Sequence, residues 1–314
     1  MTNTALQTAG NNALQAQEVR SGLLDQFIAF VDASPATVRA YTGHLKQFFR
    51  YLAENGIRQP NRDTVISYRE DLKERCKATT VQNYIEAVKL FFAWTEQAGL
   101  YPNIATHVKG AKISKEHKRD YLTGAQIAEV LEAIDRSTVE GLRDYALVLL
   151  MITGGLRAIE AHRADIGDMG KAGNSTVLYV QGKGREEKAE FVKMPREVET
   201  AINTYLKARG TKDPKDPLFI SHSHNSAGER LSVRSVSGIV KQRLIAAGYD
   251  SERLTAHSLR HSAVTISLLE GNTLQEAQQF ARHRNIATTQ IYAHNLDRER
   301  NNCEYSIIGS IFKK

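Results

Sequence analysis

From position 157 onward, the 314-residue chain carries six side chains whose types and contexts could do chemistry together. Arg157, in GGLRAIEAHRAD, follows a double glycine where a helix ends and the backbone can turn sharply, so its guanidinium is offered on a turn. Glu160, one turn on, is placed to hold it. Lys183 sits at the tip of QGKGREEK, where a basic hairpin can enter a groove or reach a phosphate. His257 and Arg260, in TAHSLRHS, are three apart and project from one helix face; His261 faces another direction and reads as structural. ARHRNIATTQIYAH holds His283 and then Tyr292, with the TT pair marking a short helix that carries Tyr292 in its second or third turn.

Taken singly, each has a plain structural reading: a surface arginine paired with a glutamate, a solvated turn lysine, an HxxR that recurs by chance, a core tyrosine. Together they suit phosphoryl transfer to a tyrosine hydroxyl. A phosphodiester under attack gains charge on its non-bridging oxygens, and two arginine forks can clamp these with charge-assisted hydrogen bonds. Tyrosine, with an ordinary pKa of about 10, needs nearby cations or a base to become nucleophilic at neutral pH. A histidine can take that proton, and a lysine can protonate the departing 5′ oxygen. This chemistry calls for no metal and no cofactor. His222 and His224, in HSH, have the wrong spacing for one helix face and lack carboxylate neighbours, so they read as a loop.

The elements that must position these groups are mostly helical. SPATVRAYTGHLKQFFRYLAENG predicts a helix capped by Ser34, with Pro35 in its first turn and Asn55-Gly56 as its stop. Further helical patterns cover Leu23 to Val31, Val65 to Arg75, and a stretch from Thr79 or Thr80 to Gly99, making a bundle of about four helices whose aromatic residues belong to its core. Thr123 is a plausible cap for the next helix, and Leu142 to Ile152 reads as a buried one. Around Thr176 the period switches to two, and STVLYV and AEFVKM form a hairpin around QGKGREEK. Helices resume at Pro195 and again from Ser232. The expected fold class is mainly α with a small β-sheet.

Composition narrows the setting. Hydrophobic residues make up 41% and charged residues 25%, an ordinary globular balance without an apolar run long enough to span a bilayer, so no membrane partner is expected. The start of the chain lacks the basic and apolar regions of a secretory signal, and Cys76 and Cys303 offer neither a disulfide framework nor a metal pair, which together predict a cytoplasmic protein. Net charge is +7, favouring a polyanionic partner. The segment KGAKISKEHKR concentrates Lys109, Lys112, Lys115, Lys118 and Arg119 against one acid, Glu116, as a strap for a phosphate backbone would.

On these strings, and above all HSLRH followed by RHRNIATTQIY, the chain resembles the tyrosine recombinases of the phage integrase and Xer type over nearly its whole length. The polar, aperiodic residues 1–20 read as a disordered tail and the pattern break with its basic cluster over 104–120 as a linker, while the resemblance implies a SAM-like helical core-binding domain over 21–103 and a mixed α/β catalytic domain over 121–314. It implies Arg157, Lys183, His257, Arg260, His283 and the nucleophile Tyr292 as catalytic residues, with Glu160 in support and the basic strap on DNA. The implied partner is a double-stranded DNA recombination site. The two domains would clamp it, the enzyme working as a homotetramer or with a paralogous recombinase. Strand exchange would pass through a 3′-phosphotyrosyl link and a Holliday junction. The resemblance departs at Ala281-Arg282, where the family commonly has Leu-Gly before the histidine. That change costs backbone freedom and is expected to put another cation near the DNA. Ile307, Ile308, Ile311 and Phe312 of the tail would dock either on a neighbouring protomer or on the chain's own core. A catalytically silent DNA-binding regulator on the same fold is the alternative.

Overall fold

Apolar residues at helical spacing drive most of the chain into helices, and these gather into two units, Met1–Lys115 and Glu116–Lys314. The computed structural model describes residues 22–112, 121–182, 185, 187–211, 213–293 and 303–312. The tail over 1–20, the hairpin-tip Lys183, and Lys115, Lys118 and Arg119 of the basic segment lie outside the described residues.

The first unit is built from α1 (22–30), α2 (Pro35–Glu54), α3 (Arg62–Arg75) and α4 (Ala78–Gln97). Ser34 caps α2 by accepting the Thr37 N–H at 3.3 Å, and Pro35 fills a first-turn position whose N–H has no partner in the helix anyway. Asn61 and Thr64 cap α3 reciprocally. Along α4, Val81, Ile85, Val88, Phe91 and Phe92 are buried at one-turn intervals, in one cluster with Leu45, Phe48 and Leu52 of α2. Rings meet edge-on, Phe27 with Phe91 at 5.5 Å and Phe48 with Phe92 at 5.9 Å, so the aromatics here are core and not an exposed stacking surface. Beyond α4 the chain stays on this unit. Ala105 and Val108 are buried in its core, and Arg69 Nη1 donates to the Lys109 carbonyl at 2.8 Å. Lys109 and Lys112 are exposed.

The second unit opens with α5 (Gly124–Glu132), capped by the Thr123–Gln126 box, and α6 (Val139–Thr153). α7 (Ala158–Arg163) and a 3₁₀ turn (Ile166–Asp168) lead into β1 (Met169–Ala172), β2 (Ser175–Val180) and β3 (Glu190–Lys193), an antiparallel sheet in the order β1-β2-β3. The β2–β3 pairing sets Leu178 opposite Val192. β1 is a strand that the sequence pattern does not predict: MGKA has no alternation, and it is a strand because Met169 to Ala172 pair with β2. α8 (Arg196–Arg209), α9 (Val233–Ala246), α10 (Ala256–Leu269), α11 (Leu274–Ala281), α12 (Ile286–Ala293) and α13 (Cys303–Ile311) follow. α6 runs through the centre, with Ala146 to Ile152 all buried. Its Asp144 accepts from Arg143 Nε at 2.8 Å and from Arg243 Nε of α9 at 2.7 Å, which ties the two helices by a buried carboxylate. Among the described residues, no helix is long and apolar enough to cross a membrane.

Candidate active site

The site begins where α6 ends. Gly154 closes the helix and Gly155 takes φ +54°, a left-handed conformation that suits glycine; a Cβ there would meet the Phe280 ring at 3.0 Å. The turn delivers Arg157 in extended backbone at the start of α7. Glu160, fully buried, holds this arginine twice: Oε2 accepts its backbone N–H at 2.9 Å and Oε1 accepts from Nη1 at 2.8 Å.

Thr255 and Ser258 cap α10, setting His257 exposed in the first turn and Arg260 inward. Arg260 is 1% exposed. Its Nη1 donates to the Gly155 carbonyl at 2.5 Å and its Nη2 to the Ala281 carbonyl, joining the turn after α6 to the end of α11. Burial, then the like charges of Arg157 and Arg282, push its pKa down to about 9, against the pull of Glu160 and Tyr292. It stays cationic at neutral pH.

α11 stops at Ala281, and Arg282 adopts φ +54° as its left-handed cap, a conformation that costs a residue with a Cβ about 1 kcal/mol. The sequence departure at this position was expected to add a cation near DNA; the structure turns the side chain inward instead, leaving it 5% exposed. The reason is local. Nη1 donates to the carbonyls of Gly154 at 3.1 Å and Phe280 at 2.9 Å, while Nη2 donates to Gly155 at 3.1 Å and to Glu160 Oε2 at 2.9 Å. Helix-terminal carbonyls and a buried carboxylate offer it more there than water does. Burial would raise the Glu160 carboxyl, but the Arg282 charge, the Arg157 N–H and the charges of Arg157 and Arg260 outweigh it and hold the group below the usual carboxylate range.

The turn that Arg282 makes sets His283. Its backbone N–H donates to the Gln278 carbonyl at 3.1 Å, and Nδ1 lies 2.9 Å from Thr289 Oγ1 of α12. Burial first, then the charges of Arg260, Arg157, Arg282 and His257, push its pKa down to about 4. The imidazole is neutral at pH 7. Tyr292, in the second turn of α12, is 5% exposed and packs with Val264, Ala277 and Ala281. Its ring centroid is 5.9 Å from that of His283, nearly parallel, and 4.6 Å from that of His261.

The structure therefore gathers Arg157, Glu160, Arg260, His283 and Tyr292 at one corner of the second unit. His257 is exposed on the first turn of α10. Three residues near these groups were not singled out as site residues in the sequence: Arg282, Thr289 and His261. The doubled histidine of HSLRH was the available signal for His261, which lies against the tyrosine ring with Nδ1 3.3 Å from Thr265 Oγ1. The hairpin that carries Lys183 is fastened at both ends to the α7 segment. Arg163 Nη1 donates to the Gly182 carbonyl at 3.2 Å, and Lys188 Nζ meets Asp165 and Asp168 at 2.7 and 2.5 Å. Between this hairpin and the α11–α12 turn opens a cleft of about 570 Å³ lined by Arg185, Phe191, His283 and Arg284. His222 is spent elsewhere, with Nε2 3.4 Å from the Tyr205 hydroxyl. No group of three or more metal-ligating side chains occurs among the described residues.

Known proteins with this organisation rearrange nucleic acid. Residues 120–299 match the phage integrase family, and residues 24–99 match the phage integrase N-terminal SAM-like domain. Tyrosine recombinase XerC of Herpetosiphon aurantiacus is 30% identical over 285 residues, covering 86% of this chain and 90% of that protein. XerC of Haemophilus influenzae is 30% identical over 267 residues, covering 83% and 87%. Among solved structures, the XerH recombinase bound to a palindromic difH substrate superposes with a TM-score of 0.70 at 21% identity, covering 88% of this chain and 81% of that one. A lambda integrase dimer bound to a COC′ core site gives 0.69 at 16% identity, covering 85% and 96%, a likeness of fold. The chain belongs to the phage integrase family of tyrosine recombinases. It is a site-specific DNA recombinase, an enzyme that cuts and rejoins strands by transesterification.

Proposed function

We propose that Tyr292 is the nucleophile and that Arg157, Lys183, His257, Arg260 and His283 serve the transfer, with Glu160 in support. The phenolic oxygen attacks the scissile phosphorus, the bond to the 5′ oxygen breaks, and a 3′-phosphotyrosyl link holds the strand. The phenol's proton passes to His257, and Lys183 protonates the departing 5′ oxygen. Arg157 and Arg260 stabilise charge on the non-bridging oxygens. The Thr289 hydroxyl beside Nδ1 can donate to it, which would leave the ring proton of the neutral His283 on Nε2, ready to donate to the phosphate. The ester keeps the bond energy on the enzyme, so the 5′ hydroxyl of a partner duplex can reverse the step on a new strand. Two such rounds pass through a Holliday junction.

The observation that carries this reading is the convergence of Tyr292 and His283 on a junction stitched by Arg260 and Glu160. A nicked suicide duplex, which loses its short 5′ strand on cleavage, tests it. The protein is expected to become covalently attached, Tyr292→Phe to bind without attachment, and attachment to survive EDTA. An adduct on Tyr292→Phe would refute the nucleophile, and a requirement for divalent metal would refute the mechanism.

A second copy of the chain is a further partner. In α13 and just beyond it, Ile307, Ile308, Ile311 and Phe312 are between 52% and 72% exposed, an apolar face left uncovered among the described residues. It supports docking on a neighbouring protomer within a tetramer on DNA, alone or with a paralogous recombinase. Lys109 and Lys112, with Lys115, Lys118 and Arg119, would hold the DNA backbone, and the work would take place in the cytoplasm.

A further inference from the structure

We propose that Arg282 is a positioning residue of the cleavage step: its guanidinium locks the turn carrying His283 onto the Glu160–Arg157 turn. The inference rests on the reading of Tyr292, Arg157 and His283 given above.

Arg282 holds a left-handed backbone that glycine would adopt without strain, and its side chain is almost wholly buried. What it gains is four hydrogen bonds to three separate segments: the end of α6 through Gly154 and Gly155, the end of α11 through Phe280, and α7 through Glu160. Arg260 joins two of these segments from another side, through Gly155 and Ala281. Two guanidinium groups thus bracket one junction, Arg260 read as a phosphate clamp and Arg282 bonded to carbonyls and to the Glu160 carboxylate beside the cleft that His283 lines. Glu160 is the shared element, since its Oε2 accepts both from Arg282 and from the Arg157 N–H. A planar fork can span a carboxylate and a carbonyl at once, which an ammonium on a flexible stem does poorly. Backbone and side chain of one residue therefore fix the imidazole and the arginine relative to each other. Because the charge is buried and neutralised, its loss should slow chemistry and leave DNA affinity nearly unchanged.

The test measures adduct formation on a nicked suicide duplex at saturating DNA, duplex affinity and thermal stability. The variants are Arg282→Gly, Arg282→Lys, Glu160→Gln and the double Arg282→Gly/Glu160→Gln. Arg282→Gly, which suits the backbone, is expected to slow attachment by about tenfold or more while affinity stays within about threefold. Arg282→Lys should stay slow despite its charge. The double variant should be slowed by less than the product of the two single effects, because the two side chains share a contact. Attachment by Arg282→Gly at the wild-type rate would overturn the proposal. So would weakened binding with an unchanged saturated rate, or slowing in the double variant that multiplies that of the singles. If Arg282→Gly fails to fold, Arg282→Lys decides the same question, since a purely electrostatic role predicts full rescue. A wild-type protein that forms no adduct, or an adduct on Tyr292→Phe, would instead sink the underlying reading of the site.

Discussion

The ring of Tyr292 rests against that of His261, with centroids 4.6 Å apart and planes inclined by 50°. His261 is buried, and with Val264 it forms the part of α10 that seats α12. Orientation of the phenol is thus a packing problem as well as a chemical one. His261→Ala is expected to open a cavity beneath Tyr292, costing about 2–4 kcal/mol and loosening α12. Hydrogen exchange across Ile286–Ala293 should accelerate and adduct formation should slow, whereas His261→Phe, which keeps a ring, should retain most of both. Unchanged exchange in the alanine variant would refute this support.

Glu160→Ala leaves Arg157 and the buried Arg282 without their shared counter-charge. Removing one partner of a buried ion pair typically costs about 3–5 kcal/mol. Urea denaturation should show a loss of that order. A loss below about 1 kcal/mol would mean that the two guanidinium groups find other partners.

The His283 shift has a sign that stability measurements can read. Its folded value of about 4 lies below the ordinary 6.5, so between these limits the unfolded chain binds a proton that the native protein does not. This group's effect on stability is therefore absent above about pH 6.5 and becomes a growing loss as pH falls toward 4. His283→Gln should lose about 1–2 kcal/mol less than wild type between pH 7 and 4.5, after discounting for solvent screening. Parallel stability profiles for the two proteins would show that the imidazole is not held neutral.

DNA binding should weaken steeply with salt as condensed counterions are released. With six or more phosphate contacts, the expected loss is about 10³-fold between 50 and 200 mM salt. Replacing exposed Lys109 and Lys112 by glutamine should reduce the slope of log affinity against log salt by about 2 and weaken all sequences alike. A slope unchanged by the double replacement would remove these lysines from the interface.

Most of the helical framework was readable from the chain. Caps at Ser34 and Thr123 and the apolar stripe of α4 are local signals, each set within one or two turns, and local signals survive into the fold. The candidate groups were likewise visible as types and order: a guanidinium after two glycines, a histidine and an arginine one turn apart, a tyrosine closing a short helix. Strand β1 was not visible, because only pairing with β2 makes MGKA extended. Nor was the behaviour of Arg282. From composition it is one more positive charge for a phosphate backbone, and only the meeting of the α6, α7 and α11 ends supplies the carbonyls and carboxylate that draw it inside. Residue type and local spacing decide which chemistry is possible. Which charges face solvent, which are neutralised, and which imidazole stays uncharged depend on contacts between segments more than a hundred residues apart in the chain.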